Sequence, residues 1–333
     1  MAHELDFVGD EAAFAFVGEG AWHGWGQEME KDATIQEIAK AAHMDWEIFR
    51  TPVKYEVVND GSSGIAGLLD LRMFPEKHVL YRSDNNRPLS IVSPSYNIVQ
   101  PMEILEFYKD LVGVADMYIE TAGVLFGGRK FWAMANTGRM LELKGGDVIK
   151  GYMLLSSSCD GTSATFAQFT DVRVVCNNTH TMAMADGNKK IRVSHNRIWN
   201  PTEMKMEMGL IDESWGRFKE NVEKMSTVTV PRDAGVEYLI KLFGDESVAV
   251  EDQSPAIGQK CAGVWDLFIG AGQGSTMASA AGTMWGLYNA VTETVDHYSG
   301  HRTVDAQRAA AWFGSGSTLK TRAFDLAMEM IND

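Results

Sequence analysis

Residues 118–136, YIETAGVLFGGRKFWAMAN, combine two runs of alternating apolar and polar residues with a Gly127-Gly128 pair between them. Alternation with a period of two is typical of strands that bury one face, and a glycine pair between two such runs signals a two-residue hairpin. Residues 151–170, GYMLLSSSCDGTSATFAQFT, repeat the arrangement around an Asp-Gly pair. The sequence therefore predicts neighbouring hairpins that form an antiparallel, meandering sheet.

The segments on either side of this centre complete an α+β layout. The stretches DVRVVCNN (171–178) and KKIRVSHNR (189–197) predict two further strands, and the first hundred residues alternate strand-like runs with turns. After Pro201 the pattern changes, because apolar residues recur every three or four positions, as on a helix with one buried face. This stripe consists of Met204, Met208, Ile211, Trp215, Phe218, Val222 and Met225. We expect a β-rich part over residues 1–200 and a mainly helical part over 201–333 packed on it, either as two units or as one continuous domain.

The composition restricts the class of protein. An apolar fraction of 45% and a charged fraction of 23% are ordinary for a globular chain. The chain contains no run of about 18 apolar residues, so the sequence predicts no membrane span. The acidic N-terminus lacks the basic region of a secretory signal. The 3 cysteines form no CxxC pair, which favours reduced thiols in a cytoplasmic compartment.

The charge is unevenly distributed along the chain. The net charge is −15, but residues 127–197 contain ten Lys or Arg and five Asp or Glu, a net charge of +5. We call residues 127–197 the basic island. Such an island in an acidic protein indicates a local anion-binding surface, unless it is only an ordinary fluctuation in composition.

Nucleotide and metal sites are weakly indicated. The stretch GAGQGS (270–275) resembles part of a dinucleotide fingerprint, but it has no clear preceding strand, and the chain contains no GxxxxGK[ST] motif. His297 and His301, with Asp296 and Asp305 nearby, are interrupted by a glycine that disfavours a helical pair of ligands. We expect a loop and a helix end at these positions, and neither a cofactor nor a metal ion.

A nucleophilic site is a further possibility. Cys176 or Cys159 could act with His180 or His195 as the base, because a catalytic thiol needs a base within hydrogen-bond reach. Cys176 lies near cationic positions but ends an apolar strand, where buried cysteines are common. An enzyme is therefore the less favoured class.

The basic island supplies the most coherent candidate site. Its cations and two neutral amides predict a surface for single-stranded nucleic acid, in which the cations contact phosphates. The residues are Arg129, Lys130, Arg173, Asn177, Asn178, Lys189, Lys190, Arg192 and Arg197. Strand alternation would place Lys190, Arg192 and Ser194 on one face, opposite Ile191, Val193 and His195. Phe131, Trp132 and Phe166 could stack on bases; alternatively, they turn into the core beneath a solvated sheet face.

Several ordered motifs resemble the phage and plasmid family with domain of unknown function 932. They are AWHGWG, YRSDNNRPLSIVSPSYNIVQP, FGGRKFWAMAN, GYMLLSSSCDGTSA, VRVVCNNT, MWGLYNAVTETVDH and AWFGSGSTLKTRAFDLAM. The resemblance implies that the protein belongs to a DNA-based mobile element, such as a phage or plasmid, and is present in a bacterial cytoplasm. It implies no reaction and no site residues.

The layout is also loosely similar to that of phage single-strand annealing proteins, which need no nucleotide cofactor and assemble into oligomers. The leading hypothesis is a non-enzymatic, homo-oligomeric protein that binds and anneals single-stranded DNA in phage recombination. Two alternatives stay open. One is a protein that uses its acidic surface against a host protein or host defence, and the other is an enzyme with Cys176 as nucleophile.

Overall fold

A computed structural model describes most of the chain. The described residues are 7–18, 26–58, 69–109, 111, 117–173, 178–181, 191–207, 211–298, 310–311 and 314–332.

Strands dominate the chain up to residue 193. In order they are β1 (Phe7–Val8), β2 (Glu11–Ala12), β3 (Phe14–Val17), β4 (Gln27–Met29), β5 (Ile48–Val58), β6 (Leu69–Arg82), β7 (Pro88–Val92), β8 (Tyr118–Leu125), β9 (Lys130–Leu143), β10 (Asp147–Ser158), β11 (Thr165–Arg173), β12 (Asn178–Thr181) and β13 (Ile191–Val193).

The central sheet has the order β12-β11-β10-β9-β8-β3-β4, with β13 also paired to β11. The strands from β8 to β13 pair only antiparallel, mostly with a neighbour in the chain, whereas β3 and β4 pair in parallel. This arrangement confirms the predicted antiparallel, hairpin-rich sheet.

The hairpin turns lie where the glycines predict them, but the β8–β9 and β10–β11 connections are both longer than two residues. Leu125 pairs with Lys130, so four residues connect β8 to β9 instead of two. Phe126, Gly127 and Gly128 all have positive φ in this turn, which explains why two of the positions are glycine.

Most helices follow β13, and two short ones lie between strands earlier in the chain. They are α1 (Ile35–Ala41), α2 (Pro101–Glu106), α3 (Pro201–Glu207), α4 (Ile211–Met225), α5 (Arg232–Phe243), α6 (Pro255–Asp266), α7 (Met284–Glu293) and α8 (Ser315–Met330). Within the described part of the chain, no helix is both long enough and apolar enough to cross a membrane.

The methionine-rich stripe packs in the core, as its spacing predicts. Met204, Phe218, Val222 and Met225 are all at most 4% exposed. Met208, which belongs to the same stripe, lies outside the described residues.

The two faces of the central sheet meet different surroundings. Side chains such as Phe131, Met153 and Phe169 join the main core, which also contains Trp285 and Val291 of α7. The other face carries a separate cluster, formed by Ala12, Phe14, Leu125, Trp132, Met134, Tyr152, Leu154 and Phe166. The main core thus includes residues on both sides of position 200.

A second sheet, of the order β5-β6-β7, stands beside the central one. Strand β7 pairs only with the segment of β6 from His78 to Tyr81. The remainder of the β5–β6 hairpin, from Val53 to Val58 and from Leu69 to Phe74, is a two-stranded ribbon, which we call the arm.

Candidate nucleic-acid interface

Three described cations of the basic island lie at one end of the central sheet. Arg129 immediately precedes β9, and Lys130 is its first residue, opposite Ser158 at the end of β10. Arg192 lies on β13, opposite Phe166 near the start of β11.

Directly opposed residues of an antiparallel pair point to the same face of the sheet, as do residues two apart on one strand. Lys130 is opposite Ser158, which is two residues from Ser156 on the same strand. Phe166 is opposite both Ser156 and Arg192, so Arg192 lies on the same face as Lys130. Three strand spacings separate the two positions, a distance of about 15 Å. The predicted alternation is confirmed for β13, because Ile191 and Val193 belong to the main core on the opposite face.

The turn after β13 carries Arg197 and packs against the loop that follows β7. Asn97 donates two hydrogen bonds to the His195 carbonyl, from its backbone N–H over 2.7 Å and from Nδ2 over 3.1 Å. The imidazole of His195 stacks on Tyr96, with ring centroids 4.5 Å apart. The Tyr96 hydroxyl in turn donates to the Ser158 carbonyl over 2.9 Å. Arg197 is thereby held at the same end of the sheet.

Two further cations, which the sequence did not single out, belong to the same region. The guanidinium of Arg87 lies against the β8–β9 turn, since a Cβ on Gly127 would come within 2.7 Å of the Arg87 Cζ. Arg50 donates to the carbonyls of Pro94 and Tyr96, over 3.1 and 3.4 Å. Both lie outside the basic island, so a charge count along the chain cannot find them; only tertiary contacts bring them here.

We call the combined set the basic end. It consists of Arg50, Arg87, Arg129, Lys130, Arg192 and Arg197. All are exposed except Lys130, which is half-buried. Burial lowers the pKa of Lys130, and the nearby carboxylate of Asp160 opposes that shift.

Arg82 is a cation of a different kind, because it anchors the structure. Its side chain is buried, and it donates to both carboxylate oxygens of Asp84, over 3.0 and 2.7 Å. It also lies 4.2 Å from the centre of the Trp46 ring. Burial raises the pKa of Asp84, but the hydrogen bonds and charge of Arg82 outweigh this and hold the pKa below its usual value. Arg82 therefore fixes the β6–β7 turn and is not free to bind a ligand.

Arg173 and Asn178 do not join the basic end. They pair with each other where β11 meets β12. Arg173 is the last residue of β11, eight positions from Thr165, which places it about 26 Å from the basic end at the rise of a β-strand. Asn177, Lys189 and Lys190 lie outside the described residues.

The aromatic residues named with the site are not available to bases. Phe131, Trp132 and Phe166 are 0%, 2% and 4% exposed. They complete the two apolar clusters on opposite faces of the sheet. The expectation that they stack on bases is wrong for this structure, because packing against neighbouring strands covers the rings.

Cys159 does not have the properties of a nucleophile. The residue is 1% exposed, and its thiol lies 3.4 Å from the Gly128 carbonyl. Burial raises the pKa of Cys159 to about 12, so the thiol is protonated at neutral pH. His195, its possible base, is held by Tyr96 and by a 3.1 Å contact between Nδ1 and the Asn97 carbonyl. Cys176 lies outside the described residues. The alternative of an enzyme with Cys176 as nucleophile therefore stays a prediction.

In the glycine-rich segment 270–275, Gly270 and Ala271 end a short π-helical turn, and a loop that contacts a carboxylate follows. The backbone N–H of Gln273 donates to the carboxylate of Glu293, over 3.1 Å to Oε2. A Cβ on Gly272 would lie 2.7 Å from the Leu267 carbonyl oxygen and 2.9 Å from Glu293 Oε2, which explains the glycine. The Gln273 backbone donor is therefore bound by the protein's own carboxylate.

No metal site forms among the described residues, where no group of three His, Cys, Asp or Glu side chains could hold an ion. Asp296, one of the possible ligands, forms a buried 2.7 Å ion pair with Lys320. His301 and Asp305 lie outside the described residues.

Comparison with known proteins gives one match. The sequence model of the family described as Domain of unknown function (DUF932) matches residues 88–312. No significant match was found among curated proteins or solved structures. The matched range contains most of the basic end, namely the residues from Arg129 to Arg197, and excludes Arg50 and Arg87.

Proposed function

The match covers well over half of the chain, so the protein belongs to the DUF932 family, and on that premise we propose that it binds single-stranded DNA through the basic end. In this proposal it is a non-catalytic annealing protein of a phage that acts in the bacterial cytoplasm. The setting comes from the resemblance of its motifs to the phage and plasmid family.

The observation that carries the proposal is the convergence of six cations from five separate segments. Arg50 lies on β5, Arg87 in the β6–β7 turn, Arg129 and Lys130 at the start of β9, Arg192 on β13 and Arg197 just beyond it. Such a group of cations, in a chain whose net charge is −15, is the kind of local basic patch that anionic ligands bind. The patch spans about 15 Å or more, and a nucleic-acid strand carries regularly spaced charges over that length.

The burial of Trp132 and Phe166 shapes the proposed mode of binding. With those rings covered, the cations contact phosphates, and the bases remain directed away from the protein. Bases in that position are available for pairing with a second strand, which is what annealing requires. Binding should therefore depend little on base sequence and strongly on salt.

Fluorescence anisotropy with a labelled oligonucleotide tests the proposal. If all six cations contact phosphates, the slope of log K against log salt is about −4 for a single strand. Arg192→Glu should weaken binding to all sequences by roughly tenfold or more and make the slope shallower. Lys219→Glu is the matched control, because Lys219 is an exposed cation on α4, away from the basic end.

Two results would count against the proposal. One is no binding at micromolar protein in low salt, and the other is equal weakening by Arg192→Glu and Lys219→Glu. If no DNA binds but a bacterial protein is retained in a pull-down, the alternative of an acidic surface directed at a host protein takes its place.

A further inference from the structure

The arm exposes an apolar face that the rest of the described chain leaves uncovered. In the register of the hairpin, Lys54 pairs with Met73, Glu56 with Leu71 and Val58 with Leu69, so these six residues share one face. The four apolar members are between 58% and 66% exposed; they are Val58, Leu69, Leu71 and Met73.

The patch is as large as the largest apolar patch of a typical monomer, and such patches are often functional. Four such side chains present on the order of 400 Å² of apolar surface, close to the largest patch that monomeric proteins commonly expose. The arm also extends about 20 Å beyond the end of β7, because it contains six residue pairs. A two-stranded ribbon of this kind is only marginally stable in water unless something packs on it.

We propose that this face of the arm is the contact surface for the arm of a second copy of the chain. The inference does not depend on DNA binding by the basic end.

The net charge of the arm favours a second copy of the chain over a nucleic acid as the binding partner. The strands of the arm and the residues leading to His78 carry three cations and three carboxylates, namely Lys54, Arg72, Lys77, Glu56, Asp70 and Glu76. Their charges cancel, and Arg72 already pairs with Asp70 over 3.1 Å. A phosphate backbone requires an excess of positive charge, which the arm lacks.

The same face is complementary to itself. Lys54 and Glu56 are two positions apart on β5 and therefore lie on one face, within the apolar patch. A two-fold axis that crosses the strands at the level of Tyr55 sets Lys54 of one copy opposite Glu56 of the other, and the reverse pair forms as well. A standard interface buries about 800 Å² per partner, of which a little over half is apolar. The patch supplies the apolar part of such an interface.

Face-to-face packing fits the arm better than edge pairing of strands. Pro75 lies where the register of β6 shifts, between the partners of Pro52 and Val53. A proline in that place removes a backbone donor, and the shift interrupts the edge that another strand would need to follow. The open face, in contrast, is continuous along the arm.

Sedimentation velocity of the full chain without DNA tests the inference. The wild type should sediment as a dimer or larger assembly at micromolar concentration, and Met73→Glu should weaken association by at least about tenfold, because it places a charge in an apolar contact. Met140→Glu is the matched control, since Met140 is 62% exposed and Met73 is 61%, both on strands. Circular dichroism should show that both variants remain folded.

A charge exchange then tests the two-fold register. Lys54→Glu alone and Glu56→Lys alone should each weaken association, and the double variant should restore it. A monomeric wild type, equal effects of Met73→Glu and Met140→Glu, or no restoration in the double variant would each overturn the inference. Because no DNA is present, none of these results tests DNA binding by the basic end.

Discussion

Single side chains decide which parts of the basic end can bind and which only hold it in place. Arg82 and Arg129 are both arginines near the β8–β9 turn, yet the first is 1% exposed and paired with Asp84, and the second is exposed. Sequence alone assigns them the same charge. Burial and a bidentate carboxylate make Arg82 structural, because desolvating its guanidinium without a partner would be very costly.

At the residue scale we expect Cys159 to resist alkylation in the folded protein. Burial keeps its pKa near 12, so almost no thiolate is present at pH 8. Cys261 is only partly buried and should react sooner. Peptide mapping by mass spectrometry after iodoacetamide treatment measures both. Rapid modification of Cys159 in native protein would show that its site opens, and would return it to consideration as a nucleophile.

At the scale of elements, a buried carboxylate joins the sheet to the helices. Asp147, the first residue of β10, accepts hydrogen bonds from the Ser279 hydroxyl over 2.6 Å and from the Trp285 indole over 3.2 Å. Trp285 lies on α7, which is buried along its whole length. These bonds fix the position of α7 over the sheet more specifically than apolar packing can.

We expect Asp147→Ala to lower the free energy of unfolding by about 3 kcal/mol, because it removes the carboxylate that accepts two buried hydrogen bonds. Ser279→Ala removes one donor and should cost about 1 kcal/mol. Urea denaturation followed by tryptophan fluorescence measures both changes. Asp252→Ala, at an exposed position, is the control and should have little effect. A loss for Asp147→Ala no larger than for Asp252→Ala would contradict the role given to Asp147.

On the scale of the whole molecule, the boundary at residue 200 separates two kinds of secondary structure but not two cores. Ile149, Met153 and Phe169 of the sheet lie in one apolar cluster with Trp285 and Leu287 of α7. A sheet deprived of these helices would expose that face to water. Its stability therefore depends on residues more than a hundred positions away.

A fragment of residues 1–200 should accordingly fail to fold on its own. We expect it to lack a cooperative thermal transition by circular dichroism and to bind a dye specific for exposed apolar surface, whereas the full chain melts in one transition. If the fragment melts cooperatively near the temperature of the full chain, the sheet has a sufficient core of its own.

The sequence by itself determined the antiparallel hairpins of the centre and the change from strands to helices after residue 200. The glycines of the hairpin turns, the alternation on β9 to β11 and the helical stripe from Met204 to Met225 are local patterns. Each follows from backbone conformation or from burying one face, so each can be read within a few residues. The positions of Arg129 and Lys130 at the start of β9 also follow from the adjacent glycine turn.

Only the tertiary structure decided which cations share a surface. Arg173 belongs to the basic island but lies at the far end of β11, because a strand separates its two ends by about 3.3 Å per residue. Arg50 and Arg87 join the basic end through contacts with segments about 40 positions away, which no local pattern encodes. The covering of Trp132 and Phe166 likewise depends on Phe14 from another strand. Sheet order and packing are long-range properties. They bring together a set of cations, the basic end, that differs from the set that is contiguous in sequence, the basic island.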